Sequence, residues 1–150
     1  MNPGQAYRRL AAQSVSQLHL VVALYEQVIA DLKRALAAHE HGQIEARTHE
    51  IDHALVVIGY LQGTLDLERG GDVARNLEQF YNLLRASLLR TNNRSFSTVM
   101  DKQISNLLML RQAWAQLDAG AAQTTGPSPS THWIAPEVAG SESPSQDWKA

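Results

Sequence analysis

From Gln17 to Leu117, large apolar residues recur every three or four positions, and no segment alternates strictly with a period of two. At 100° per residue, that spacing predicts amphipathic helices. In the first, Gln17–Glu40, Leu18, Val21, Tyr25, Val28, Ile29, Leu32 and Leu36 share a face. Ser16 stands where an N-cap belongs, and Gly42 where a C-terminal glycine belongs. The second, Gln43–Arg69, carries Ile44, Ile51, Leu55, Ile58, Gln62 and Leu65. The third, Asp72–Arg90, carries Val73, Leu77, Phe80, Tyr81, Leu84 and Leu88. The fourth follows a Ser95 cap and carries Phe96, Val99, Met100, Gln103, Leu107, Leu110, Trp114 and Leu117. Four helices of roughly 30–40 Å joined by short connections predict an all-α fold, an antiparallel four-helix bundle.

Several large apolar residues fall off these stripes. The second helix carries Val56 and Tyr60 opposite its stripe, and Leu67 follows on the same side. The first carries Leu20 and Leu24 at a similar offset; the fourth carries Leu108 and, at its stripe's edge, Ile104. One reading is a broad buried face on a central helix. The other is a groove that accepts a partner's amphipathic helix or extended segment. The segment before Ser16, with Tyr7 and Leu10 among polar residues, is expected to lie over such a groove as a detachable cap.

Gly70-Gly71 interrupts a run of helix formers. Glycine inside a helix costs about 1 kcal/mol relative to alanine. The expected arrangement is a turn. Gly70 takes the left-handed conformation that ends the second helix, Gly71 enters the third, and Asp72 faces the positive end of the dipole. A phosphate-binding loop would need a preceding strand and G-x-x-x-x-G-K-[ST], and the chain has neither here.

Composition divides the chain. Four of its five prolines lie beyond Asp118, in a stretch rich in Gly, Ser and Thr. Such a segment buries too little apolar surface to offset its ordering entropy. The expected organisation is a cap segment over 1–15, a helical bundle over 16–118 and a disordered tail over 119–150. Trp133-Ile134 and Trp148 are the tail's large apolar groups. The formal net charge of −2 gives no argument for nucleic acid. No apolar run reaches the roughly 18 residues of a membrane span, so no stable membrane insertion is expected. There are no cysteines, which removes disulfides and thiolate chemistry. With no signal-peptide pattern at the N-terminus, the expectation is a soluble cytoplasmic protein.

One motif has the form of a catalytic site. His49-Glu50-Ile51-Asp52-His53 matches H-E-x-x-H, in which histidines at i and i+4 bind zinc and the glutamate activates a metal-bound water. The extended version of the motif wants Gly at 56 and His at 59, where this chain has Val56 and Gly59. Glu68 or Glu78 would have to supply a third ligand, and neither sits in a supporting motif. The two histidines fall opposite the helix's apolar stripe, on the face expected to be wet. No metal, cofactor or catalytic group is therefore expected.

The residues around the glycine pair carry a resemblance. Leu65-Asp66-Leu67-Glu68-Arg69-Gly70-Gly71-Asp72-Val73-Ala74-Arg75-Asn76-Leu77, then Phe80-Tyr81, resembles S-L-D-x-E-x-G-G-E-I-A-x-N-L-x-x-L-Y of the flagellar secretion chaperone FliS family. Leu24-Tyr25-Glu26, Leu88-Leu89-Arg90-Thr91-Asn92 and Leu110-Arg111-Gln112-Ala113-Trp114 resemble further family segments in the correct order, and Tyr7 matches the spacing of its N-terminal tyrosine. The resemblance covers about residues 7–117. The departures are Gln17 in place of a first-turn proline, Gln27 in place of a glycine, and the long tail.

What the resemblance implies is a non-catalytic helical bundle that binds the C-terminal segment of flagellin. It further implies contacts with a component of the flagellar export gate and with a flagellar regulatory protein. Tyr7 is the residue it ties to the client site. Leu10, Leu20, Leu24, Val56, Tyr60, Leu67, Ile104 and Leu108 come from the helical pattern alone. The turn of Gly70, Gly71 and Asp72 is expected to be structural.

Overall fold

A computed structural model describes residues 3–123. It contains four helices: α1 (Pro3–Glu40), α2 (Ile44–Gly63), α3 (Leu67–Arg90) and α4 (Phe96–Gln123). No strand occurs among the described residues. Cross-helix pairs give the directions. Asp31 of α1 meets His53 of α2, and Arg34 meets Glu50, so α1 and α2 are antiparallel. His19 meets Asp118 and Glu26 meets Arg111, so α1 and α4 are antiparallel as well. α1 lies close to both, and α3 completes the bundle against α2 and α4 at longer range.

The core follows the expected stripes on α1, α3 and α4. Val21, Tyr25, Val28, Ile29 and Leu32 are buried with Leu77, Tyr81, Leu84 and Leu88, and with Phe96, Met100, Leu107 and Trp114. α2 is rotated from expectation. Its buried residues are Ile51, Ala54, Val57, Ile58 and Leu61, whereas Ile44 is exposed and Leu55, Gln62 and Leu65 are half-buried. Leu55-Val56-Val57-Ile58 is apolar almost all the way round, so periodicity defines the helix but not its phase. Ala35 and Ala38 on α1 and Ala54 on α2 are small side chains buried in the bundle.

The connections differ from expectation in detail. α1 begins well before Ser16, which lies inside it, so residues 3–15 continue the helix rather than forming a separate cap. At the other end Gly42 has φ +68°, with Gln43 N–H donating to Ala38 O at 2.8 Å and Gly42 N–H to His39 O at 3.1 Å. This pair of bonds satisfies the last carbonyls of α1. Ser95 does not cap α4 with its side chain. Instead, Asn92 Oδ1 accepts from Ser95 N–H at 3.0 Å and from Ser95 Oγ at 3.1 Å, side-chain bonds three residues on that close the turn leading into the helix. α4 runs on to Gln123, beyond the expected boundary at Asp118; the remainder of the expected tail lies outside the described residues.

The glycine pair is a kink, placed one residue later than expected. α2 ends at Gly63, and Asp66 caps α3 by accepting from Arg69 N–H at 3.0 Å. One helical turn then reaches Gly71, whose φ of 59° and ψ of −139° interrupt the helix. Gly71, not Gly70, therefore has the positive φ. Gly70 is needed for another reason: a Cβ there would stand 2.5 Å from Ala74 Cβ. Asp72 follows the kink and pairs with Arg75 at 2.6 Å.

Candidate binding groove

Polar contacts bridge most of the seams between helices. Arg111 Nε donates to Glu26 Oε2 at 2.9 Å across α1/α4, with His19 Nδ1 and Asp118 Oδ2 at 2.6 Å nearby. Across α2/α3, Gln62 Nε2 donates to Asn82 Oδ1 at 2.9 Å and Arg85 Nη2 donates to Gln62 Oε1 at 2.8 Å. In the α1/α2 seam, Asp31 is fully buried. It accepts from Gln27 Nε2 at 3.0 Å and Arg34 Nη2 at 2.5 Å, and its Oδ2 meets His53 Nδ1 at 2.6 Å.

About two turns from that cluster, the same seam opens into an apolar groove of about 560 Å³. Leu20 and Leu24 of α1 form one wall; Gly59, Tyr60, Gly63 and Thr64 form the other. Tyr60 is 63 % exposed, and Leu20 is exposed beside it. The floor is unusual. A Cβ on Gly59 would meet only the Arg85 guanidinium at 3.7 Å, and one on Gly63 would meet nothing within 4 Å. Neither glycine has a positive φ. Packing and backbone geometry thus require glycine at neither position, although a glycine inside a helix costs about 1 kcal/mol. The two leave bare backbone between Leu20, Leu24 and Tyr60.

Of the residues expected to meet a partner, Leu20, Leu24 and Tyr60 are brought together in this groove. Val56 is exposed one turn from Tyr60. Leu67, at the start of α3, and Leu108, on α4, are exposed outside the groove lining. Ile104 is corrected: it is only 8 % exposed and belongs to the core, because α4 turns that edge of its stripe inward, while Leu117 at the other edge is exposed. Tyr7 and Leu10 lie on the helical backbone of α1, but their side chains are outside the described residues. The pattern missed Gly59, Gly63 and Thr64. Two glycines four residues apart inside a helical repeat were the available signal.

The core holds a polar contact of its own. The hydroxyls of Tyr25 and Tyr81 are 2.7 Å apart and buried. Burial pushes the Tyr25 hydroxyl up to about 12, opposed in part by hydrogen bonds with Tyr81 and with the Trp114 indole. Burial, then Tyr25 itself, pushes Tyr81 further up. His49 and His53 of the HEIDH segment are both exposed, and His53 has Nδ1 2.6 Å from Asp31 Oδ2. Among the described residues, no group of three or more His, Asp or Glu side chains is placed to hold a metal.

The family model for the flagellar protein FliS matches residues 1–121. The chain belongs to the FliS family. Similar proteins include the flagellar secretion chaperone FliS of Vibrio cholerae, 28% identical over 117 residues, covering 75% of this chain and 86% of that protein. The flagellar secretion chaperone FliSB of Pseudomonas aeruginosa is 32% identical over 95 residues, covering 63% of this chain and 75% of its own length. FliS of Salmonella typhimurium is 28% identical over 113 residues, covering 75% and 84%. FliS relatives are chaperones, which places this chain with binding proteins rather than with enzymes. No helix among the described residues is long and apolar enough to cross a membrane.

Proposed function

We propose that this FliS-family chain is a cytoplasmic chaperone for flagellin, and that the Leu20–Leu24–Tyr60 groove takes part of flagellin's C-terminal segment. The observation that carries the reading is the apolar groove floored by Gly59 and Gly63, a helix surface left bare where nothing in the bundle needs it bare. An amphipathic client segment would lay its apolar side chains between Leu20 and Tyr60, with main chain near the glycines. Surface that would otherwise serve filament assembly is then covered, and premature polymerisation is blocked. A client that folds on binding loses about 2–5 kcal/mol or more of its interaction energy to ordering. That loss favours a complex that can be released to a component of the type III export gate.

The test is Tyr60→Asp. Tyr60 is exposed, and exposed substitutions usually change stability by no more than about 0.5 kcal/mol. The substitution is expected to weaken binding of the flagellin C-terminal segment by about tenfold or more, with Tm nearly unchanged. Unchanged affinity would remove the groove from the client site. A large fall in Tm would make Tyr60 a packing residue instead.

A further inference from the structure

α4 ends at the same end of the bundle as the groove. Asp118 Oδ2 is 2.6 Å from His19 Nδ1, and His19 is the neighbour of Leu20 in the groove wall. The helix continues five residues to Gln123, about 7.5 Å further at 1.5 Å per residue. The chain therefore leaves the described structure beside the first helical turns that lead into the groove. From Gln123, Trp133 is ten residues on, a reach of roughly 33–36 Å when extended. That is ample to cross α1, whose diameter with side chains is about 10–12 Å.

The first large apolar residues on that path are in Trp133-Ile134-Ala135-Pro136-Glu137-Val138. Pro136 disfavours helix at Ala135 and favours an extended backbone, a form that suits a groove between two helices. The groove offers apolar walls for an indole and a branched aliphatic side chain. Arg85, whose guanidinium lies near Gly59, offers a cation to Glu137. Trp148 is farther along and is flanked by Asp147 and Lys149, so it fits an apolar slot less well.

We propose that residues 133–138 occupy the Leu20–Leu24–Tyr60 groove of the same chain when no client is present. The segment acts as a tethered competitor that keeps the groove covered. Tethering makes a weak contact sufficient. A short linker gives an effective concentration in the millimolar range, so a segment whose Kd is about two- to ninefold below that value fills the groove about two thirds to nine tenths of the time. A client must then displace it. The occupant, unlike the client, is read from the chain's own length and exit point, so the inference stands apart from the flagellin reading.

The experiment compares NMR spectra of the full chain with those of full-length Trp133→Ala/Ile134→Ala and of full-length Trp148→Ala. Removing Trp133 and Ile134 is expected to shift the Leu20 and Leu24 methyl signals and the Gly59 and Gly63 amide signals. The shifts should be independent of protein concentration, and Trp148→Ala should not reproduce them. Affinity for a flagellin C-terminal peptide is expected to rise about three- to tenfold in the double variant. Groove signals that do not move would overturn the proposal. So would shifts that disappear on dilution, since the occupant would then be a second copy, or shifts produced by Trp148→Ala instead. Should flagellin fail to bind at all, the spectra still report whether the tail fills the groove.

Discussion

Tyr25 and Tyr81 join α1 to α3 through the core by a buried hydroxyl–hydroxyl contact of 2.7 Å. Tyr25 also lies against Trp114 of α4, with ring centroids 6.4 Å apart, so three helices meet at one phenol. An apolar core usually excludes such groups unless they are paired. Here each hydroxyl has the other as a partner, and the pair fixes the register of α1 against α3.

The pair makes stability fall at alkaline pH. Both phenols titrate higher in the folded chain than the ordinary value near 10, Tyr25 at about 12 and Tyr81 beyond it, because burial disfavours the phenolate. The folded state therefore holds protons that the unfolded chain has already lost. The contribution is complete below about pH 10 and is lost as pH rises through the folded values, at about 1.4 kcal/mol per group per pH unit. Urea unfolding at pH 8, 10 and 11 is the check, with Tyr25→Phe/Tyr81→Phe as reference; the reference should lose less stability over the same range.

Asp31 predicts an asymmetry. Its side chain is fully buried, whereas Arg34 and His53 are about half exposed. Asp31→Asn leaves two side chains that water can reach, and should cost about 1.5–3 kcal/mol, the range for hydrogen bonds to a charged group. Arg34→Met/His53→Gln instead leaves the buried carboxylate with Gln27, and should cost about 3–5 kcal/mol at neutral pH. Chemical denaturation of the two variants measures the difference. Equal costs would mean that the cluster is more hydrated than its burial indicates.

The glycines divide into two kinds. Gly71→Ala places a Cβ on a backbone at φ 59°, ψ −139°, and Gly70→Ala drives one into Ala74. Each should destabilise by about 1–3 kcal/mol, the scale of strain at a sparsely populated conformation. Gly59→Ala meets no obstacle and should stabilise α2 by up to about 1 kcal/mol. Thermal unfolding of the three variants distinguishes glycines kept for the kink from one kept for the groove.

Four helices and most of their buried positions were legible in the sequence, because α1, α3 and α4 each carry one clear apolar stripe. The phase of α2 was not, since Leu55-Val56-Val57-Ile58 offers apolar side chains to every direction. The helix start at Pro3 was hidden because Ser16 has the chemistry of a cap while the surrounding residues tolerate helix equally well. For the site, Leu20, Leu24 and Tyr60 were legible as apolar residues off the stripe, and Ile104 was misplaced because it sits at the stripe's edge. Asp31 was invisible as a buried group: its partners Arg34 and His53 come from two helices, and one-dimensional spacing does not show that they converge.

The central claim is that this chain, through its groove, binds flagellin's C-terminal segment. Isothermal titration calorimetry of the full chain with the C-terminal segment of the flagellin from the same organism tests it most directly. One-to-one binding, abolished or much weakened when Gly63→Leu fills the groove floor, is the predicted result. No heat with the unmodified chain across several buffers and temperatures, or equal affinity for the filled variant, would contradict it.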